Sequence, residues 1–413
     1  MRNIIEKLEE MNNNLRLNTS YPLNRQNWYK YQSEKNIFEG IKDFSVYIHI
    51  PFCNALCKFC EYTKCVKQNK EIETKVIDTI IKDIEKFKYP KMMYGLDVGG
   101  GTPTCLFDDN FSKILDISSK IIANSNQPTD FLPSIEGTFE SLSDNKIELL
   151  KKSVFKRISF GIQVLNKSFL EDNERNSDIQ KIKSVIEKIR NHFIVNIDIM
   201  YGLNNITLDD LRETINFVNS LNVDEITLYE TRYNSIGLKP QKSKMEIIYE
   251  YDYCYNLITL LGYYGYYGRN TFSKRSPSSF AVSSYLNYRM KGYFYKGFGP
   301  SAQSMTKLGL SYNKFKNNFC ITPLLEASSF ENGNNYFLPE NEIMAKLICI
   351  SLYKCSINLN CIKKLYNIDI YNKKQNIIQE LSEAGLIEIK SGDLFITKAG
   401  YKYYSAIGNM LYT

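Results

Sequence analysis

Six short β-forming runs alternate with helix-length amphipathic stretches between residues 44 and 232, and this rhythm limits the fold more than any other feature. The runs are FSVYIHIPF (44–52), MMYGLDV leading up to Gly99, a short segment ending at Ile135-Glu136, RISFGIQ (157–163), FIVNIDIMYG (193–202) and EITLYETR (225–232). Between the first two, Ile72, Val76, Ile80, Ile84 and Phe87 fall on one helical stripe. Further helical patterns run from about Asn110, from Ser143 to Ser153 and from Ser177 to Asn191. A Thr207/Asp210 capping-box spacing opens another, to about Asn222. Strands separated by single helices predict a parallel sheet with crossover connections, an α/β fold of the partial (β/α)6, TIM-like barrel type. Cysteines, Gly99–Gly101, Glu136, Gln163, Asp198 and Glu230 recur where the runs end. In barrels of parallel strands that edge is where active sites are built.

The rhythm divides the chain into an N-terminal extension (1–43), the barrel core (44–240) and a Tyr/Gly-rich region expected to complete the barrel (241–321). That region holds a helix from Met245 to Leu261, GYYGYYGRN (262–270) and KGYFYKGFGPSAQS (291–304). The Asn/Ser/Pro-bearing stretch 322–339 reads as a linker. In 340–413, helical patterns at 340–354 and 370–384 precede two β runs around Ser391-Gly392, the signature of a helical, winged-helix-like module.

Charge narrows the partners. Against 45 Asp+Glu stand 52 Lys+Arg, a formal +7 spread over 413 residues and not concentrated in the C-terminal module. Neither a nucleic-acid footprint nor a membrane-surface signal results, and no nucleic-acid or membrane partner is expected. No apolar run reaches the length of a membrane span, and MRNIIEKLEEMNNN lacks the apolar segment of a signal peptide. A cytoplasmic protein is expected, so the ten cysteines read as thiols, metal ligands or core residues rather than disulfides. Two histidines, His49 and His192, are too few for a multi-histidine zinc or non-haem iron site. His49 reads as a packed strand residue, and His192 as a cap or surface residue.

Cys53, Cys57 and Cys60 form a C-x3-C-x2-C spacing directly after the first β run. Three thiolates on one short loop can hold three irons of an iron–sulfur cube and leave the fourth open. With Cys65 as a fourth ligand, structural zinc is the alternative. The Gly99–Gly101 turn lets backbone groups approach a ligand closely. Glu136, at a strand end, can accept from a ribose or an ammonium group. Asp198 could instead cap a helix, and Arg175 could form a surface ion pair.

This cysteine spacing, at the head of six β/α units, resembles the radical S-adenosylmethionine (SAM) superfamily. YIHIPFC (47–53), GGGTPT (99–104), RISFGIQ (157–163) and NIDIMYGL (196–203) are similar to the oxygen-independent coproporphyrinogen III oxidases and their relatives, the haem chaperones and class C radical SAM methyltransferases. The likeness continues through KGFGPSAQS (296–304) and the C-terminal module, covering roughly residues 45–410. It implies a radical SAM barrel with a [4Fe–4S] cluster on Cys53, Cys57 and Cys60, and one or two SAM molecules. In such proteins the open iron chelates SAM, and one electron cleaves the sulfonium to a 5′-deoxyadenosyl radical that abstracts hydrogen. By resemblance Tyr47, Gly100 and Glu136 serve the first SAM, with Gly99 in the same turn. Phe59, Gly101, Thr102, Gln163, Arg175 and Asp198 match positions serving a second. The resemblance also implies an electron donor such as flavodoxin or ferredoxin, and a small-molecule substrate, a tetrapyrrole or other aromatic.

Two departures stand out. The haem chaperones carry His-Asn-x-x-Tyr-Trp where this chain reads SYLNYRM (284–290), so Ser284 replaces the histidine and Arg289 the tryptophan. Without that imidazole, haem carriage by this route is disfavoured. The oxidases carry a further cysteine as Cys-x-Cys, where Glu61 and Tyr62 follow Cys60 here. Cys65 reads as a buried thiol, as do Cys105, Cys254 and Cys320. Cys349, Cys355 and Cys361 fall on different helix faces, which argues against an auxiliary cluster. The tyrosines of 262–270 and 291–298 either line a flat apolar pocket or stack across strands. The expectation is a radical SAM enzyme that oxidises or decarboxylates a tetrapyrrole or similar substrate. The alternatives are methyl or methylene transfer to a natural product, and a haem-binding chaperone.

Overall fold

The computed structural model describes residues 4–11, 28–175, 178–233, 236–275, 283–315, 325–331 and 333–413. All six expected strands form: β1 (Ser45–Ile50), β2 (Leu96–Gly100), β3 (Ser134–Gly137), β4 (Arg157–Gln163), β5 (Ile194–Tyr201) and β6 (Glu225–Glu230). Each pairs in parallel with the next, Val46 opposite Leu96 and Ile135 opposite Ile158, for example. Five more strands extend this into an 11-stranded sheet: β7 (Thr271–Ser273), β8 (Tyr295–Phe298), β9 (Gln303–Thr306), β10 (Gly309–Tyr312) and β11 (Asn334–Phe337). The order is β11-β10-β9-β8-β1-β2-β3-β4-β5-β6-β7. β8 is a seventh parallel strand beside β1, while β7 and β9–β11 run antiparallel at the two ends. The ends β11 and β7 do not pair with each other, so the barrel is partial.

Helices Lys70–Lys86, Asp108–Ala123, Asp144–Lys152, Ile179–Ile189, Leu208–Ser220 and Lys244–Leu260 cover the outer face. Their starts follow capping chemistry. Ser143 accepts from the Lys146 N–H, and Thr207 and Asp210 complete the expected capping box. The helix expected from Ser177 begins at Ile179, capped by Asp178; Ser177 lies outside the described residues.

Several boundaries differ from expectation. The MMYGLDV run becomes strand only at Leu96, because Met92 instead makes isolated bridges to Asp43 and Asn126. EITLYETR leaves the sheet after Glu230. A short helix, Lys167–Asp172, was not anticipated; the Asn166 side chain caps it by accepting from the Phe169 N–H. The stretch 322–339, expected as a linker, holds β11, whose Tyr336 pairs with Leu310 of β10. Residues assigned to the core, the barrel-completing region and the linker thus share one sheet. The N-terminal extension is tied to it as well. Gln32 bridges to Tyr336, and Trp28 donates from Nε1 to Glu342 Oε2 at 2.9 Å in a buried contact.

Strand alternation decides what faces where. Ile158, Phe160 and Ile162 of β4, Ile197 and Ile199 of β5, and Ile226 and Leu228 of β6 are all buried. Their alternates Arg157, Ser159, Asn196, Asp198 and Thr227 line a narrow cavity on the other face. Each apolar side chain contributes roughly 1.5–3 kcal/mol by leaving water, so a one-residue slip would be prohibitive.

Residues 340–413 form a winged-helix-like unit. Helix Glu340–Leu352, strand Ser356–Asn358 and helices Leu359–Tyr366 and Gln375–Glu383 lead to the hairpin Ile387–Lys390/Asp393–Ile396. The first strand pairs with the second arm of the hairpin, whose turn holds Ser391 and Gly392 at positive φ. Cys349 is buried in the first helix, Cys355 donates to the Gly268 carbonyl at 3.2 Å, and Cys361 lies on the next helix. Cys105 and Cys254 are buried as expected, whereas Cys320 lies outside the described residues.

At the floor of the cavity Arg157 Nε donates to Glu225 Oε2 at 2.8 Å and Nη1 to Ser134 Oγ at 3.1 Å, with both charged side chains buried. Removing one partner strands the other charge in a medium that cannot solvate it. Arg157→Met is expected to cost about 3–5 kcal/mol, and Arg157→Met/Glu225→Leu to recover most of that loss. Urea unfolding midpoints of the two variants check this.

Candidate active site

β1 leads through Pro51 into Phe52-Cys53, and this pair runs parallel to Cys65-Val66. Cys65 N–H donates to the Pro51 carbonyl at 2.7 Å, and Lys67 N–H to the Cys53 carbonyl at 2.8 Å. Residues 53–65 are thereby closed into a hoop at the C-terminal mouth of the barrel, the edge expected to carry the site. Cys53 is buried, whereas Cys57 and Cys60 are half-buried. Thr102 Oγ1 donates to Cys53 Sγ at 3.6 Å, Arg175 Nη1 to Cys57 Sγ at 3.5 Å, and Lys64 Nζ to the Cys60 carbonyl at 2.7 Å. Burial pushes the Cys53 thiol up to about 12 and raises that of Cys60. Among the described residues no three His, Cys, Asp or Glu side chains converge on a single-ion position. Cys65 turns Sγ to the Pro51 carbonyl at 3.6 Å, inside the strand pair.

The glycine run at the end of β2 borders the hoop. Gly101 donates to the Ile50 carbonyl at 2.7 Å. A Cβ there would lie 2.4 Å from the Phe52 carbonyl oxygen and 2.9 Å from Cys53 Sγ, so only glycine lets the two segments touch. Gly100 sits at φ +117 and donates to Glu136 Oε2 at 3.2 Å, and a Cβ on Gly99 would strike the same carboxylate. Phe59 of the hoop stacks on Phe169 with centroids 5.6 Å apart. Lys58 N–H donates to Asn173 Oδ1 at 3.0 Å, joining the hoop to the unanticipated short helix.

At the end of β4 the register shifts between Gly161 and Gln163, and Gln163 takes φ 69. Its carboxamide folds back over Gly161, whose carbonyl accepts from Arg175 Nη2. Gln163 Oε1 is buried without a hydrogen-bond partner. Asp198 accepts from Asn196 Nδ2 at 2.7 Å and from Ser159 Oγ at 3.2 Å, so it is a cavity residue and not a helix cap. Tyr47 OH lies 3.3 Å from His49 Nδ1, and its ring stacks on Tyr285. These contacts join Cys53 to Gly101 and Thr102, Cys57 to Arg175 and through Gly161 to Gln163, and Glu136 to Gly99 and Gly100, whereas Tyr47, Phe59, Cys60 and Asp198 make theirs with other residues.

The cavity is rich in acid. Glu136 opens onto it yet is surrounded by protein; desolvation, then the Asp198 charge, pushes its carboxyl up to about 8. Desolvation likewise raises Asp97 to about 7 and Asp198 to about 6. The floor residues Asp97, Arg157, Ser159, Asn196, Glu225 and Thr227 were missed from sequence. Their signal was the period-two spacing of polar residues within RISFGIQ, NIDIM and EITLYE. Also missed was the ion pair Arg232–Glu61 at 2.7 Å, with the Arg232 guanidinium 5.6 Å from the Tyr353 ring. It links the hoop and the end of β6 to the C-terminal module. A wider open groove along helix Lys70–Lys86, lined by Lys70, Asp78, Lys82 and Ser328, contains no hoop residue.

His49 braces the hoop from below. Nε2 donates to the Thr63 carbonyl at 2.8 Å, and desolvation lowers the imidazole to about 4. His192, by contrast, is exposed. A folded-state pKa below the ordinary 6.5 favours the neutral ring, so the His49 contribution is full above pH 6.5 and fades as pH falls toward 4. Between pH 7 and pH 4.5 the parent is expected to lose about 2–3 kcal/mol more than His49→Gln. Urea unfolding of the iron-free proteins at both pH values measures the difference.

Comparison with known proteins agrees with this geometry. Residues 47–218 match the family model of the Radical SAM superfamily. Heme chaperone HemW of Bacillus subtilis (strain 168) is 24% identical over 374 residues, covering 86% of this chain and 96% of that protein. Oxygen-independent coproporphyrinogen III oxidase of Salmonella typhimurium is 23% identical over 389 residues, covering 87% of this chain and 83% of that protein. The solved structure of coproporphyrinogen III oxidase (HemN) from Escherichia coli, described as a radical SAM enzyme, superposes with a TM-score of 0.69 at 20% identity over 90% of each chain. No helix among the described residues is long and apolar enough to cross a membrane.

Proposed function

We propose, from the match of residues 47–218 to the Radical SAM superfamily and the likeness to oxygen-independent coproporphyrinogen III oxidases and haem chaperones, that the chain is a radical SAM enzyme abstracting hydrogen from an organic substrate, with oxidation or decarboxylation of a tetrapyrrole or similar molecule as the outcome. The observation that carries this reading is the hoop: three thiols, no two of them adjacent in sequence, border the glycine run, where Gly101 touches Cys53 and Gly100 donates to Glu136 of the cavity. A [4Fe–4S] cluster held by Cys53, Cys57 and Cys60 supplies, when bound, the electron that cleaves SAM to a 5′-deoxyadenosyl radical.

The residues present fit these groups. Three sulfur donors suit a cube with one open iron. The surplus of Asp97, Glu136 and Asp198 suits a cationic sulfonium and ammonium, since each carboxyl is raised by burial and favoured as carboxylate by an incoming positive charge. The unpartnered Gln163 Oε1 offers an acceptor to a ribose or amine. Gly99 and Gly100 carry backbone against the ligand, and Tyr47 forms part of the adjoining wall. On the same reading Phe59, Gly101, Thr102, Gln163, Arg175 and Asp198 would serve a second SAM.

The remaining work of the chain is exclusion of water. Radical chemistry needs the substrate C–H within roughly 3–3.5 Å of the reacting carbon and no competing hydrogen donor. Phe59 and the Arg232–Glu61 bridge flank the hoop, and the stacked rings of Tyr47 and Tyr285 lie below it, toward the starts of the strands. An electron donor such as flavodoxin or ferredoxin is required outside it. The carrier alternative is disfavoured by Ser284, which donates to the Leu132 carbonyl at 3.2 Å and accepts from its N–H at 3.0 Å, leaving no ligand at that position.

Cys57→Ala is expected to lower iron per reconstituted chain and to reduce 5′-deoxyadenosine release from SAM under dithionite at least 100-fold. Retention of both at the parental level would refute the ligand assignment. Anaerobic turnover with methyl-labelled SAM separates the outcomes: oxidation leaves the product unlabelled, whereas methyl or methylene transfer labels it.

A further inference from the structure

Helix Ser284–Met290 turns Tyr285, Leu286 and Arg289, one turn apart, toward the barrel. Tyr285 stacks on Tyr47 at 5.6 Å, and Leu286 lines the cavity beside Asp97 and Glu136. Arg289 is held by neutral groups alone. Its guanidinium lies 4.8 Å over the Tyr295 ring, and Nη2 donates to Gln303 Oε1 at 3.3 Å. That oxygen also accepts from Tyr295 OH, and Gln303 Nε2 donates to Tyr312 OH at 2.7 Å, which fixes the carboxamide. Arg289 Nε is buried without a hydrogen-bond partner, and among the described residues no carboxylate lies within ion-pair distance of the guanidinium. Asp97 of β2 feels its charge, and Asp97 Oδ2 is already engaged by Ser283 Oγ at 2.6 Å.

A guanidinium withdrawn from water without a counter-charge is costly, and the cost falls when a ligand brings the missing anion. The planar fork matches a carboxylate in two parallel hydrogen bonds. Stacking on Tyr295 and the Gln303 contact restrict the side chain before any ligand arrives, so little entropy remains to be lost on binding. We propose that Arg289 binds a carboxylate of the organic substrate and orients that substrate from the end of the barrel where Tyr295 pairs with Ser45, below the hoop. This rests on the enzymatic reading above, and it adds the residue that recognises a carboxylate of the substrate.

The test is anaerobic equilibrium dialysis of the reconstituted protein, in the presence of SAM, against coproporphyrin III and against its tetraamide, which keeps the macrocycle and loses the charges. The parent is expected to bind the acid at least tenfold more tightly than the amide. Arg289→Gln abolishes that preference, and Arg289→Lys restores part of it. Iron content per chain and the thermal midpoint report whether each variant folds. Equal binding of the acid by parent and Arg289→Gln, or an acid bound no better than the amide by the parent, would overturn the proposal. So would a loss of SAM affinity with coproporphyrin affinity kept, which would assign the guanidinium to the carboxylate of SAM. Release of 5′-deoxyadenosine by the parent is read separately, so failure of the radical reading and failure of the carboxylate reading are distinguishable.

Discussion

The structure depends on a sheet whose two faces are chemically opposite. Along β4, β5 and β6 the apolar alternates Ile158, Phe160, Ile197, Ile199, Ile226 and Leu228 are buried against helices, and the intervening side chains are polar and point into the cavity. The apolar set fixes register, because a slip by one residue would exchange the two faces along a whole strand. The polar set is thereby forced into a space it would not choose. Carboxyl groups placed there by strand geometry are desolvated, which raises Asp97, Glu136 and Asp198 above the ordinary carboxylate range. The same interactions that stabilise the fold therefore leave a region that favours incoming positive charge.

The cysteine hoop solves a separate problem, that of presenting three thiols in a fixed arrangement on a loop. Its ends are tied by backbone hydrogen bonds between Phe52-Cys53 and Cys65-Val66, its base by His49 and Thr63, and its flank by Phe59 on Phe169. None of these ties uses a sulfur. The scaffold of the hoop is thus independent of what the thiols bind, and the entropy of ordering the loop is largely offset by contacts made in the protein itself. Glycine at 101 is the steric condition for this, since any Cβ would separate the hoop from the end of β2.

The central fold was legible because its signals are local. Alternation over seven or eight residues marks β4 and β5, and Thr207 with Asp210 marks a helix start by side-chain chemistry alone. What sequence concealed was non-local. β8 is a parallel strand only because Tyr295–Phe298 meets Ser45–Ile48, some 250 residues earlier; within its own Tyr/Gly-rich text nothing distinguishes it from an antiparallel hairpin arm. β11 was hidden in an Asn-rich stretch whose strand character comes from its partner, Gly309–Tyr312. At the site, the cysteines and glycines were readable from spacing. The fold-back of Gln163 was not, because it follows from a register shift that leaves no mark in composition. Nor was the approach of Arg175 to Cys57, residues 118 apart in sequence.

The mouth of the barrel is closed by parts of the chain that are distant in sequence. Glu61 comes from the hoop, Arg232 from beyond β6, and Tyr353 from the end of the first helix of the C-terminal module. That helix is in turn braced by Trp28 through Glu342, and residues of the N-terminal helix Ile4–Glu10 reach the module through Lys7–Glu380 and Tyr403–Glu9. Water exclusion at the site is therefore a property of the assembled chain rather than of the barrel alone. The energetic logic runs in one direction. Carboxyls raised by desolvation and a guanidinium without a counter-ion weaken the empty barrel, whose sheet is open between β11 and β7. Packing the C-terminal module against the hoop side, through Arg232 and Tyr353, lets the cavity stay polar and narrow together. In such a medium electrostatic interactions with a ligand are stronger than in water, so the destabilisation carried by the empty site is available as binding energy once opposite charges enter it.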